Sequence, residues 1–229
     1  MDGTSAFDLI WSGDRALFAI VRLSLAITLA ATALATIIGL PLGAIVALSR
    51  FPGRTAVVIG LNAMMGLPPV VVGLVVYLLL SRAGPLGSLG LLFTPTAMVI
   101  AQALLIGPIL AALTRQVVED LWAEYRDEFT AMNVAPFARL QALLWDARFS
   151  LATIVLAGFV RASAEVGAVI IVGGNIDGFT RVMTTTIALE TSKGNLALAI
   201  GLGVVLIVII LAVNALAWAV RDWGLRRAG

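Results

Sequence analysis

The sequence predicts an all-α, polytopic membrane protein of about five transmembrane helices, a single membrane domain over residues 1–229. Two observations carry this. Hydrophobic residues make up 61% of the 229 positions, charged residues only 12%, and the mean hydropathy is +1.06. A soluble domain is about 45–50% apolar and about 25% charged, and one of this size leaves much of its surface in water, so the apolar surplus has nowhere to go but lipid. Second, five runs are continuously apolar rather than alternating, and each is long enough for the ~20 helical residues that cross a bilayer.

The first run, Leu23–Leu48, follows a start in which Asp2, Asp8 and Asp14 precede any basic residue. A signal peptide needs a basic n-region, so this run is expected to be a retained span. The second, Ala56–Leu80, contains Met64-Met65-Gly66-Leu67-Pro68-Pro69. Two prolines remove two backbone donors and should break the helix, which a membrane protein tolerates only at a packed kink or a cavity. Met65, Pro68 and Pro69 are therefore candidates for a constriction of a pathway, with Val70 and Val71 as an apolar gate. The third run, Thr94–Leu113, is the shortest and carries Pro108. The fourth, Ser150–Val172, holds Arg161 and Glu165, the charges inside the five spans. At i and i+4 they are expected to pair on one helix face, as a brace for the bundle, as a lining of a pathway, or as an anion contact. The fifth is Leu196–Val220.

The longest polar segment, about 115–149, reads as one or two short amphipathic helices. Leu121, Trp122 and Tyr125 share a face, as do Phe129, Met132 and Phe137 more loosely. The segment is either a connector lying on the membrane or a docking site for a cytoplasmic partner. Asn133 is suited to a left-handed turn. Gly173–Lys193, with Gly174, Asn175 and Arg181, is a loop that could present backbone N–H groups to an anion, dock a partner or shape a vestibule.

Orientation follows from the basic residues. Arg50, Arg54, Arg115, Arg126, Arg139, Arg148, Arg221, Arg226 and Arg227 fall on one side, and Arg15, Arg22, Arg82, Arg181 and Lys193 on the other. The positive-inside rule puts the N-terminus outside and the C-terminus in the cytoplasm. There is no Cys and no His, which removes thiol chemistry and the commonest metal ligands. No G-x-x-x-x-G-K-[ST] occurs, so ATP hydrolysis by a P-loop is not expected of this chain. A basic balance of +2 in a membrane protein points to loops, not to nucleic acid.

The segment DEFTAMNVAPF resembles the coupling-helix signature of ABC importer permeases: a Glu-Ala-Ala, a Gly six residues after the Glu, and a later Leu-Pro. Asp127 stands at the Glu, Asn133 at the Gly and Asp146 near the Pro; Glu128 is the acid if the register shifts by one. The stretches 66–102 and 158–195 are similar to oxyanion permeases of the molybdate, sulfate and tungstate group. Gly173-Gly174-Asn175-Ile176 and Arg181-Val182-Met183-Thr184-Thr185 are most similar to the tungstate type. The resemblance implies an importer permease for an oxyanion, tungstate first and molybdate or sulfate as alternatives. It implies a homodimer, two cytoplasmic ATPase subunits and an extracytoplasmic binding protein. ATP and Mg would be bound by the ATPase chain, with no cofactor and no metal on this one. Asp127, Glu128, Phe129, Met132, Asn133, Ala135 and Phe137 would couple to the ATPase. The residues alone also leave open an ATP-independent secondary anion transporter.

Overall fold

The computed structural model describes residue 11 and residues 13–228. The acidic start with Asp2 and Asp8 lies outside the described residues. Those described form helices and connecting turns, without strands. In order they are α1 (Arg15–Leu48), α2 (Arg54–Met65), α3 (Pro69–Leu80), a 3-10 turn (Gly87–Leu89), α4 (Pro95–Ala131), α5 (Pro136–Asp146), α6 (Arg148–Ser163), α7 (Gly167–Gly173), α8 (Met183–Lys193) and α9 (Leu196–Ala228). Three helices are long and apolar enough to cross a membrane: α1, α4 and Leu196–Gly224 of α9. Two bent pairs bring the number to five. The α2/α3 pair turns by 105° and the α5/α6 pair by 68°.

Helix starts follow local chemistry. Asp14 caps α1 by accepting the Leu17 N–H at 2.8 Å, so the helix begins eight residues before the first apolar run. Thr94 caps α4 ahead of Pro95, where a missing N–H costs nothing. α1 and α4 form the spine. They approach at Gly39 and Gly43: a Cβ at Gly43 would stand 2.3 Å from the Ala111 carbonyl oxygen, and one at Gly39 2.9 Å from that of Gly107. Both helices also accommodate an internal proline, Pro41 and Pro108.

One expectation is refined and another corrected. The polar segment 115–149, expected to be one or two short amphipathic helices, contains one, α5; most of the rest is a continuation of α4. α4 runs on unbroken to Ala131, about 55 Å at ~1.5 Å per residue, well beyond an apolar core of ~30 Å. The onset of charge at Arg115 marks the exit from lipid; no breaker follows until Asn133. The expected fourth span, Ser150–Val172, is not one helix. α6 stops at Ser163 and α7 begins at Gly167, so Arg161 and Glu165 do not share a helix.

Buried clusters locate the two ends. Ile27, Val76, Met98, Val169, Val172 and Val182 pack together at the end carrying the Gly173–Lys193 segment. Ala44, Ala47, Val118 and Leu143 pack at the opposite end, beneath the α4–α5 corner.

Candidate functional site

The α4–α5 corner is built by a Schellman turn. The Asn133 N–H donates to the Thr130 carbonyl at 3.1 Å and the Val134 N–H to the Phe129 carbonyl at 3.1 Å. This bond pair requires a left-handed residue at the first position past the cap, and Asn133 has φ 50°. Ala135 then caps α5, with Pro136 at its first turn. Arg139 locks the corner: its Nη2 donates to the Val134 carbonyl at 3.1 Å, and its guanidinium lies 4.6 Å from the Trp122 ring centre. Phe129 stacks on Trp122 and meets Tyr125 edge-on, with centroids 6.2 and 6.3 Å away. It belongs to the cluster under the corner. Of the three apolar residues expected to share a face, then, Met132 (75% exposed) and Phe137 (68%) project and Phe129 does not. Asp127 and Glu128 are exposed on the last turn of α4. The carboxylates of Asp146 and Glu124 hold the Tyr125 phenol above its ordinary range. Arg54, from α2, pairs with Glu119, which also pairs with Arg115, so α2 is fastened to the projecting part of α4.

The second group of residues lies in the bundle. Met65 ends α2, Gly66–Pro68 is the break, and Pro69 opens α3. The Gly66 and Leu67 N–H groups fall back on Ala63 and Met64 at 3.1 and 3.3 Å, a tightened last turn. Leu67, Val70 and Val71 are exposed at the bend. The break between α6 and α7 stacks against it. A Cβ at Gly167 would meet Val70 Cγ2 at 2.8 Å, and one at Gly73 would meet Ala168 Cα at 2.7 Å.

Three backbone groups freed at the second break are satisfied by side chains. Glu165 Oε1 accepts the Ala168 N–H at 3.0 Å, and Oε2 accepts Arg161 Nη1 at 3.0 Å. Gln102 of α4 donates to the Ala162 carbonyl at 3.1 Å, and Thr184 of α8 donates to the Glu165 carbonyl at 2.8 Å. A broken helix in lipid survives only with such partners. The pair is lopsided: Glu165 is 3% exposed and the Arg161 side chain 40%. An unpaired charge at mid-bilayer costs about 2.5–3.5 kcal/mol on insertion scales. Gln102 and Thr184 were not foreseen from the sequence. The signal was present in Gln102, the lone amide of the third apolar run, because an isolated polar group there needs a partner.

At the far end the Gly173–Lys193 segment is internally bonded. Gly174 and Asn175 have φ 69° and 50°, and a Cβ at Gly174 would strike the Phe93 ring at 2.9 Å. The Gly174 N–H donates to Ile170 at 3.0 Å and the Ile176 N–H to Thr180 Oγ1 at 2.9 Å. Those two donors serve the turn. Arg181 pairs with Asp177 at 3.0 Å beside a groove of about 510 Å³ that includes Arg22. Glu190 closes α8 by accepting from Asn195 Nδ2 at 2.9 Å and Lys193 Nζ at 3.1 Å, and those bonds, Asn195's first, hold its pKa below the ordinary value.

No family model matches the chain. It is 41% identical to a probable anion ABC transporter permease protein of Haloferax volcanii, over 90% of this chain and 91% of that one. It is 39% identical to the tungstate uptake system permease protein TupB of Peptoclostridium acidaminophilum, over 95% and 96%. A sulfate transport system permease protein CysW of Synechocystis is 28% identical over 85% of this chain and 73% of its own. With full-length matches at this identity, the chain belongs to the family of ABC transporter permeases that includes TupB and, at greater distance, CysW.

Proposed function

We propose that this protein is the membrane subunit of an ATP-driven tungstate importer. It works as a homodimer, with two ATPase chains seated on the α4–α5 corners and a binding protein delivering the anion at the opposite end. ATP and Mg belong to the ATPase chains. The corner end is cytoplasmic, with the N-terminus outside, as the distribution of arginines favours. Substrate identity draws on TupB; a molybdate or sulfate importer is the alternative, the latter favoured by the weaker likeness to CysW.

The observation that carries the reading is the corner: a rigid, projecting turn with exposed Asp127, Glu128, Met132 and Phe137, fixed by the Asn133 turn and Arg139. Closure of the ATPase dimer pushes on this corner. Because α4 continues into the spine without a break, and Arg54 ties α2 to it, the push reaches the Gly66–Pro68 bend. There the two stacked breaks can change angle, with Leu67, Val70 and Val71 as the apolar constriction. A two-state bundle with different contacts in each state is what converts the push into alternating access.

The test is co-purification with a co-expressed ABC ATPase subunit. Asp127→Ala should weaken recovery of that ATPase while the permease stays in the membrane, and tungstate uptake into proteoliposomes should require ATP. A chain that purifies alone and moves anions without ATP would replace this reading with a secondary transporter.

A further inference from the structure

We infer that Arg161 is the oxyanion contact at mid-pathway, and that Glu165 is there to keep that contact weak. The inference rests on the importer reading and names a residue within it. Glu165 is enclosed and both its oxygens are engaged, by Arg161 and by the Ala168 N–H. Arg161 gives one N–H to that pair, and no other bond from it is found among the described residues. Its remaining donors lie on the exposed side, 40% open, next to exposed Ala164 and Val166. A guanidinium does not face acyl chains when it has an alternative, so this side borders water or protein. The wall beside it is the apolar bend: Glu165 Oε1 and Val70 Cγ2 lie 3.6 and 2.8 Å from the Cβ position of Gly167.

A tetrahedral dianion crossing such a wall needs donors, and the guanidinium fork matches two of its oxygens. A bare arginine in low dielectric would hold a dianion too long. The carboxylate 3.0 Å behind it cancels the net charge, leaving directional hydrogen bonds and a shallow well. In a homodimer two such forks would serve one path.

A merely structural brace makes different predictions. Removing both charges of a buried pair is commonly tolerated, whereas removing one is not. The permease–ATPase complex in nanodiscs should therefore be compared with Arg161→Gln/Glu165→Gln and with Glu165→Gln alone. Equilibrium dialysis against labelled tungstate, without ATP or binding protein, reads the contact. Glu165→Gln should tighten tungstate retention about tenfold or more, and the double variant should lose it. In proteoliposomes the double variant should fall about tenfold or more in uptake while still co-purifying with its ATPase. Wild-type uptake by the double variant, or unchanged retention in Glu165→Gln, would overturn the inference. If the double variant fails to assemble, the dialysis result for Glu165→Gln decides alone. Both failures leave the importer reading intact, since that stands on uptake by the unmodified complex.

Discussion

Asn133 offers the sharpest test of the corner. It occupies the one position in the α4–α5 turn that must be left-handed, at φ 50°, for both the Thr130 and Phe129 carbonyls to be satisfied. A β-branched residue there meets a clash worth about 1–2 kcal/mol. Relief of that clash unwinds the turn, and each Schellman bond lost forfeits a further ~0.5–1.5 kcal/mol. Strain of about 1–2 kcal/mol changes the ratio of formed to opened corner by a factor of roughly 5–30. Asn133→Gly removes no constraint the turn needs and should preserve it. The assay is the ratio of tungstate accumulated to ATP hydrolysed in proteoliposomes, for Asn133→Val against Asn133→Gly. The valine variant should hydrolyse ATP with little uptake, and the glycine variant should stay coupled. Equal coupling in both would show that corner geometry does not transmit the ATPase stroke, and the lever would have to lie elsewhere.

Gly73→Val should disrupt the stacking of α3 on α7, because even a Cβ would stand 2.7 Å from Ala168 Cα; a loss of about 1–3 kcal/mol should appear as a lower melting temperature in detergent. Phe129→Ala should lower that temperature too, as it empties the Trp122–Tyr125 cluster, whereas Met132→Ala and Phe137→Ala should leave it in place and weaken ATPase recovery. Glu190 has a folded pKa below its ordinary 4.5, so its contribution is present above that value and disappears as pH falls through the lower folded value. The stability gap between wild type and Glu190→Gln, followed by thermal melts, should therefore close as the pH is lowered below 4.5 and stay constant above it.

The spans were legible because lipid imposes a long apolar run on any crossing helix, and the breaks at Pro68-Pro69 were legible because proline removes donors whatever surrounds it. Asn133 was legible for the same local reason: few residues tolerate its φ. The continuation of α4 past Arg115 was not, because hydropathy reports where a helix leaves lipid and not where it ends. The end of α6 at Ser163 was hidden in turn. No proline or glycine stands at 164–166, and the break exists because Gln102, Thr184 and the Glu165 side chain, distant in sequence, satisfy the freed backbone. Phe129 was grouped on one face with Met132 and Phe137 because helical spacing alone cannot tell which neighbour will cover an aromatic ring.

The two candidate sites are joined by α4. It carries the Schellman turn at Ala131–Val134, the Glu119 anchor for α2, and Gln102 at the α6/α7 break. A displacement at the corner cannot be absorbed along the way, since the close approach of α1 at Gly39 and Gly43 leaves no slack on the other flank. Motion must therefore emerge where the backbone is already interrupted. Those interruptions are Gly66–Pro68 and Ala164–Val166, which touch through Val70 and Gly167 and have Arg161 beside them. On this reading, a change of angle at the bend moves the apolar constriction and the charged fork together. Opening the path and presenting the donor would then be one event, because Glu165 is bonded to both sides of the break, through its N–H to Ala162 of α6 and through its carboxylate to Arg161 and to the Ala168 N–H of α7.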